Sequence, residues 1–135
     1  MEPLVSASQR EGFRFVARLC NEWADGTNRF DRPGEALYGV LGDAGLAGVG
    51  GLNRQDESTG RLRHFYILPP YRRRGMGRSL LTHVLSRAAA HFRWVVLRTD
   101  TVSADKFYRA CGFARVQDSG SATHRIGLPA NNTNG

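Results

Sequence analysis

Apolar residues recur along this chain in two periods, and the alternation between them lays out the elements. Gly12, Phe15, Val16, Leu19, Cys20 and Trp23 repeat at helical spacing. Ser8-Gln9-Arg10-Glu11 before them reads as a capping box, and Gly26 after them as a helix end. Residues 28–34 read as a loop marked by Pro33-Gly34. Ala36–Leu41 and Leu46–Leu52 predict two strands joined as a hairpin at Gly42-Asp43-Ala44-Gly45. After a polar turn at residues 55–60, Leu62–Leu68 predicts a third strand, closed by Pro69-Pro70. A helix follows from about Met76 to His91, with Leu80, Leu81, Val84, Leu85 and Ala88 as its apolar stripe. Trp94–Thr99 is β-branched and aromatic enough for a buried strand. Ser103 is placed to cap a short helix carrying Ala104, Phe107, Tyr108 and Cys111 on one face, with Gly112 at its end. Residues 113–117 and 123–128 are candidate terminal strands, and the polar tail 129–135 is expected to be disordered.

The order is therefore α, β-β-β, α, β, α, β-β. The strand–helix–strand segment around residues 62–99 is a crossover whose two strands should run parallel, whereas the hairpins make the rest antiparallel. This predicts an α/β (α+β) domain with a mixed, mostly antiparallel sheet flanked by helices. With 135 residues, the chain suits one such domain over 1–128. The only strand-like residues before the first predicted helix are Leu4-Val5, so a strand there is short or missing. An edge left uncovered in that way invites a homodimer.

Composition narrows the class. At 41% hydrophobic and 23% charged the chain reads as globular and soluble. No apolar run approaches the ~20 residues that span a bilayer, and no secretory signal is visible, so we expect a cytoplasmic protein without a membrane partner. Cys20 and Cys111 fall on apolar helix faces and read as reduced thiols. No Cys/His cluster has ligand spacing, so no metal is expected. The net charge of +7 comes almost wholly from arginine, Lys106 being the sole lysine. It points to an anionic ligand or partner, although scattered arginines are also what a codon bias produces.

The charge is concentrated at Arg72-Arg73-Arg74, which runs into Gly75-Met76-Gly77 between a strand and a helix. Glycines let the backbone approach a ligand and aim successive N–H groups at it, and the helix start adds unpaired donors and a positive dipole end. Such a place binds phosphate. The lysine of a Walker loop is absent, and Leu80 stands where a dinucleotide fingerprint needs its third glycine. Read alone, the run is also compatible with a nucleic-acid patch or a solvated basic face.

Two signatures taken together resemble the GNAT superfamily of N-acetyltransferases. One is Ile67-Leu68-Pro69 followed by Arg72-Arg73-Arg74-Gly75-Met76-Gly77-Arg78. The other is Ala104-Asp105-Lys106-Phe107-Tyr108-Arg109-Ala110-Cys111-Gly112-Phe113. They lie in the family's order with a strand between them, and the likeness covers about residues 35–128. The resemblance implies a sheet whose two central strands splay apart in a V to admit acetyl-CoA. Cofactor-binding residues would be Phe65, Tyr66 and Ile67 along the pantetheine arm, Arg72, Arg73, Arg74, Gly75, Met76, Gly77 and Arg78 around the pyrophosphate, and Thr101. A backbone N–H near Ile67 would polarise the thioester carbonyl, and Tyr108 would protonate the departing thiolate. The implied reaction is direct transfer of an acetyl group to a primary amine of a small molecule or peptide in a ternary complex, rather than a ping-pong route through Cys111.

The chain departs from the family pattern in three ways. The family usually opens with a strand before the first helix, whereas here only Met1 to Ala7 precede it. The strand Arg61-Leu62-Arg63-His64-Phe65 has no carboxylate where many members carry a basic glutamate. Glu35, Asp31 and His124 are the nearest substitutes by element position. Thr101 stands where many members place asparagine. Asn28, Arg29, Phe30, Asp31 and Glu35, with Arg32, are candidate substrate contacts, although a loop rich in Asn, Asp, Pro and Gly is also an ordinary turn. Two other readings compete: an acyl-CoA-binding sensor or regulatory module that has lost catalysis, and a small basic nucleic-acid-binding protein. The arginine run lacks the interleaved aromatic platforms the latter uses, so no nucleic-acid partner is expected.

Overall fold

The computed structural model describes residues 2–10, 15–43, 45–117 and 121–129. Helices α1 (Glu2–Arg10) and α2 (Phe15–Asp25) precede strands β1 (Ala36–Gly42), β2 (Gly45–Arg54) and β3 (Thr59–Ile67). Helix α3 (Met76–Ala88), strand β4 (Trp94–Leu97), helix α4 (Val102–Ala110) and strands β5 (Ala114–Arg115) and β6 (His124–Gly127) follow. The strands form one sheet in the order β1-β2-β3-β4-β6-β5. β3 and β4 pair in parallel and the other neighbours antiparallel, so the sheet is mixed as the element order requires.

The N-terminal reading needs correction. Leu4 and Val5 lie in helix α1, not a strand, and Ser8 sits inside that helix, not at the start of one. Glu11 and Gly12, the rest of that expectation, lie outside the described residues. Leu4 and Ala7, three residues apart, are buried against Phe30, Val49 and Tyr66, which gives residues 2–10 a core-facing stripe of their own. Pro3 is tolerated because it falls in the first turn, where N–H groups have no helical partner. At the other end, the cap of α4 is Thr101, whose Oγ1 accepts from the Ala104 N–H at 3.2 Å. Ser103 is already helical. Residues 130–135 of the expected disordered tail lie outside the described residues.

Neighbouring residues of a strand face opposite sides, and the two cores divide accordingly. Ile67, Leu52 and Leu62 pack with Leu80, Leu81, Val84 and Ala88 of α3 and with Tyr108 of α4. Val49 and Tyr66 pack with α1. Helices α3 and α4 therefore cover one face of the sheet and α1 the other.

Candidate active site

The site is built where two neighbouring strands stop pairing. β3 meets β4 only through Thr59↔Trp94, Gly60↔Val95 and Arg61↔Val96. From Leu62 to Ile67 that edge of β3 has no β4 partner, although β2 still pairs with the other edge. The result is a V-shaped opening with an unpaired strand edge inside it, able to take an extended polar chain by backbone hydrogen bonds.

A bulge shapes this edge. Val49 pairs with Tyr66 and Gly51 with Arg63, so two residues of β3, His64 and Phe65, stand opposite Gly50. His64 adopts φ 58°, a left-handed backbone uncommon for a non-glycine residue. Such an extra residue re-aims side chains. Here it sends His64 towards α2, where its Nε2 lies 3.5 Å from Glu22 Oε1. It sends Phe65 towards α4, with its ring 5.9 Å from Phe107 and 6.0 Å from Tyr108.

The loop after β3 closes the end of the opening. The guanidinium of Arg72 donates to the Ile67 carbonyl at 2.9 Å and lies 5.2 Å over the Tyr66 ring. Arg74 covers the Tyr71 ring at 5.5 Å, and the Tyr71 hydroxyl bonds Asp43. Arg73, at φ 63°, is exposed. Gly75 is the left-handed cap of α3 at φ 81°, with open space where a side chain would stand. Met76 begins the helix. A Cβ on Gly77 would meet Phe107 Cζ at 3.4 Å and Ile67 Cγ1 at 3.6 Å, so this glycine holds the first turn of α3 close to both β3 and α4. Arg78 reaches the Ala110 carbonyl at 3.5 Å. An open groove runs on from Gly75 past Arg78, Ser79, Thr82, His83 and Ser86. Arg78 and the start of α3 border it, which suits a phosphate-bearing ligand.

Tyr108 stands across the opening. It is 8% exposed and ringed by Phe107 at 5.2 Å, Phe113 at 5.6 Å, Phe65 and His124. Burial, helped by the Cys111 thiol, pushes its phenol well above the ordinary range, so it carries its proton at neutral pH. Burial also pushes the Cys111 thiol up, against Arg78, which makes it a poor nucleophile. His124 is buried, with Nδ1 2.8 Å from Thr123 Oγ1 and Nε2 2.8 Å from Asp105 Oδ1. Asp105 also accepts from Arg115 at 2.8 and 2.6 Å, and these bonds hold its carboxyl well below the ordinary carboxylate range. Thr101 caps α4 beneath this cluster.

The loop of candidate substrate contacts is tied to β2. Asn28 and Asn53 exchange two amide bonds of 2.8 and 2.9 Å. Phe30 is buried at φ 54° beside Gly51 and His64. Arg29 donates to the Trp23 carbonyl at 3.0 Å, and Asp31 is exposed. Burial raises the Glu35 carboxyl, but bonds from the Arg54 N–H, Asn53 and Arg32 outweigh it and hold the group below its ordinary value. Arg54 pairs with Gly60 at the start of β3, whereas Phe65 and Ile67 lie near its end. Glu35 and Tyr108 are thus not brought together. The carboxylate that does approach this part of β3 is Glu22 of α2, 3.8 Å from Arg63 and 3.5 Å from His64. Sequence reasoning missed it because both contacts depend on tertiary packing of α2 and on the bulge.

No helix among the described residues is long and apolar enough to cross a membrane, and none of their His, Cys, Asp or Glu side chains cluster to hold a metal. Comparison with known proteins gives a match of residues 5–113 to the acetyltransferase (GNAT) family. The chain is 35% identical over 72 residues to the N-alpha-acetyltransferase RimI of Mycobacterium tuberculosis, covering 53% of this chain and 46% of that relative. It thus spans about half the length of the curated relative it matches. A provisionally assigned acetyltransferase from Exiguobacterium sp. 255-15 is 31% identical and superposes with a TM-score of 0.81, covering 93% of this chain and 83% of the other. A provisionally assigned streptothricin acetyltransferase from Bacillus anthracis str. Ames, in complex with acetyl coenzyme A, has TM-score 0.65 at 18% identity over 73% of this chain and 65% of its own. At that identity the likeness is one of fold.

Proposed function

Because the chain belongs to the GNAT acetyltransferase family, we propose that it is an acetyl-CoA-dependent N-acetyltransferase acting on a primary amine by direct transfer in a ternary complex. The observation that carries this reading is convergence. The unpaired edge of β3, the Gly75–Gly77 turn and the Tyr108 phenol all border one opening.

Acetyl-CoA supplies the activated thioester; the protein's own groups do the rest. Arg72, Arg73, Arg74 and Arg78, with the N–H groups around Gly75, Met76 and Gly77, hold the pyrophosphate. Phe65, Tyr66 and Ile67 offer backbone groups to the pantetheine arm, and an N–H near Ile67 polarises the thioester carbonyl. Thr101, at the start of α4, borders the same arm. Tyr108 gives its proton to the departing sulfur. The acceptor comes from the α1/α2 face of the sheet, where Tyr66, Phe30 and Glu22 lie. A small molecule or a peptide N-terminus fits that description, and the relationship to an N-alpha-acetyltransferase favours the peptide.

The test is release of free thiol from acetyl-CoA in the presence of a panel of amino acids, polyamines, aminoglycosides and peptides. Turnover with at least one amine is expected. CoA binding without turnover across the panel would leave a sensor, and salt-sensitive nucleic-acid binding without CoA affinity would overturn both.

A further inference from the structure

An acid–base pair, its histidine buried and its glutamate partly exposed, lies beside the opening and has no part in the mechanism above. His64 Nε2 and Glu22 Oε1 are 3.5 Å apart, with side chains 2% and 21% exposed. Glu22 Oε1 is itself buried and accepts no hydrogen bond within the described residues. A carboxylate oxygen taken out of water without a donor is costly, and it is tolerated where a proton is to arrive. The pair sits at the bulge, one residue before Phe65, whose ring touches Tyr108. Phe65 and His64 point to opposite faces there, so the pair and Tyr108 flank the open strand edge from its two sides.

We propose that the Glu22–His64 pair takes the proton of the acceptor ammonium, the base that β3 itself lacks; the inference rests on the acetyltransferase reading. Glu22, the more exposed partner, meets the ammonium, and the proton comes to rest on the His64 imidazole. The freed amine nitrogen forms the C–N bond to the thioester carbonyl carbon as the C–S bond breaks. The sulfur takes the Tyr108 proton, and the second proton on the new amide nitrogen restores the phenol. The balance is one amide, one thiol and one proton, which leaves His64 for solvent past Glu22.

Several described groups face the pair. Helix α2 contributes Glu22, and β3 contributes Arg63, 3.8 Å from Glu22 Oε2. The loop contributes Phe30, and β2 the glycines Gly50 and Gly51. Glu22 is an acidic group within 3.5 Å of His64. Its charge favours the imidazolium, and Arg63 opposes it.

The experiment compares the wild type with Glu22→Gln and His64→Asn in two readouts. In the first, kcat/KM for the amine is followed from pH 6 to 10 at saturating acetyl-CoA. Each variant should fall about 10²-fold near neutrality. The deficit should close at high pH, where the amine arrives already neutral. A deficit constant with pH would mean a structural role and overturn the proposal. In the second, the histidine ring resonances of the apo protein are titrated by NMR. The chain has four histidines, so the set lost in His64→Asn identifies His64. Glu22→Gln should lower the His64 midpoint, because removing the carboxylate removes support for the imidazolium. An unmoved midpoint sinks the pair whatever the activity. A wild type that turns over no amine removes the acetyltransferase reading and the base with it, whereas turnover with a pH-independent deficit removes the base alone.

Discussion

Replacing Tyr108 with phenylalanine separates its chemistry from its packing. The ring keeps its contacts with Phe65, Phe107, Phe113 and His124 at 5.2 to 6.3 Å, so the fold should lose little more than the ~1 kcal/mol of one hydroxyl interaction. The kinetic loss can be bounded. Burial lifts the phenol above its usual value of about 10, whereas a thiol has a pKa of about 8.5. Full proton transfer to the thiolate is therefore uphill by at least ~2 kcal/mol, since one pKa unit is about 1.4 kcal/mol. The acid then acts at the low end of the usual 10²–10⁴ range, and kcat should fall about 10²-fold, a barrier increase of about 2.7 kcal/mol. The KM for acetyl-CoA should stay within about twofold. The sign for pH follows from the same burial: a raised phenol keeps its proton, so the wild type should show no tyrosine-linked loss of kcat up to about pH 10. The assay is thiol release against pH for both proteins. A kcat for Tyr108→Phe within twofold of wild type would remove Tyr108 from the acid role.

Gly77→Ala should bind CoA almost normally, because its Cβ meets neighbours at an ordinary 3.4 to 3.6 Å. Gly77→Trp should abolish binding by calorimetry while the circular dichroism spectrum stays intact. Gly34→Ala should lower Tm by several degrees: its φ of 83° strains an L-residue by ~1–2 kcal/mol, and the new Cβ would stand 2.8 Å from Phe92 Cζ. An unchanged Tm would refute that packing. Asp105→Asn should be less stable than wild type at pH 7, since it loses charge-assisted bonds to Arg115 and His124. A depressed carboxyl stabilises above its unfolded value of about 3.9 and loses that contribution as pH falls through the folded value. Urea midpoints of the two proteins should therefore differ by a constant amount from pH 5 to 7 and converge only below about pH 4. A gap unchanged down to about pH 2 would mean that ionisation of the Asp105 carboxyl carries none of the effect.

Most of the sheet was legible because its signals are local. The hairpin at residues 42–45, the stripe Leu80, Leu81, Val84 and Ala88, and the parallel return at Trp94 all follow from period and turn chemistry. Helix α1 was not legible, because Leu4 and Ala7 alone make too thin a stripe to recognise without the Phe30 and Tyr66 surface they cover. The loop and Tyr108 could be singled out as candidates because they occupy contiguous motifs. The Glu22–His64 contact could not be. A regular period-2 strand puts His64 on the same face as Leu62, and only the bulge, with φ 58° at His64, turns it to α2. Glu35 illustrates the opposite error: its place in the sequence suggested the site, but its bonds to Arg54 and Arg32 hold it at the far end of β3.

The proposed acetyl-CoA site is the unpaired edge of β3 together with the turn after it. The most direct measurement is the amide NMR spectrum of the 15N-labelled protein titrated with acetyl-CoA. The amides of Phe65, Tyr66 and Ile67, and those from Arg74 to Arg78, should move most, with the Trp94–Val96 amides at the paired end of the V nearly still. Shifts concentrated away from β3 and α3, or none at millimolar acetyl-CoA, would contradict this assignment.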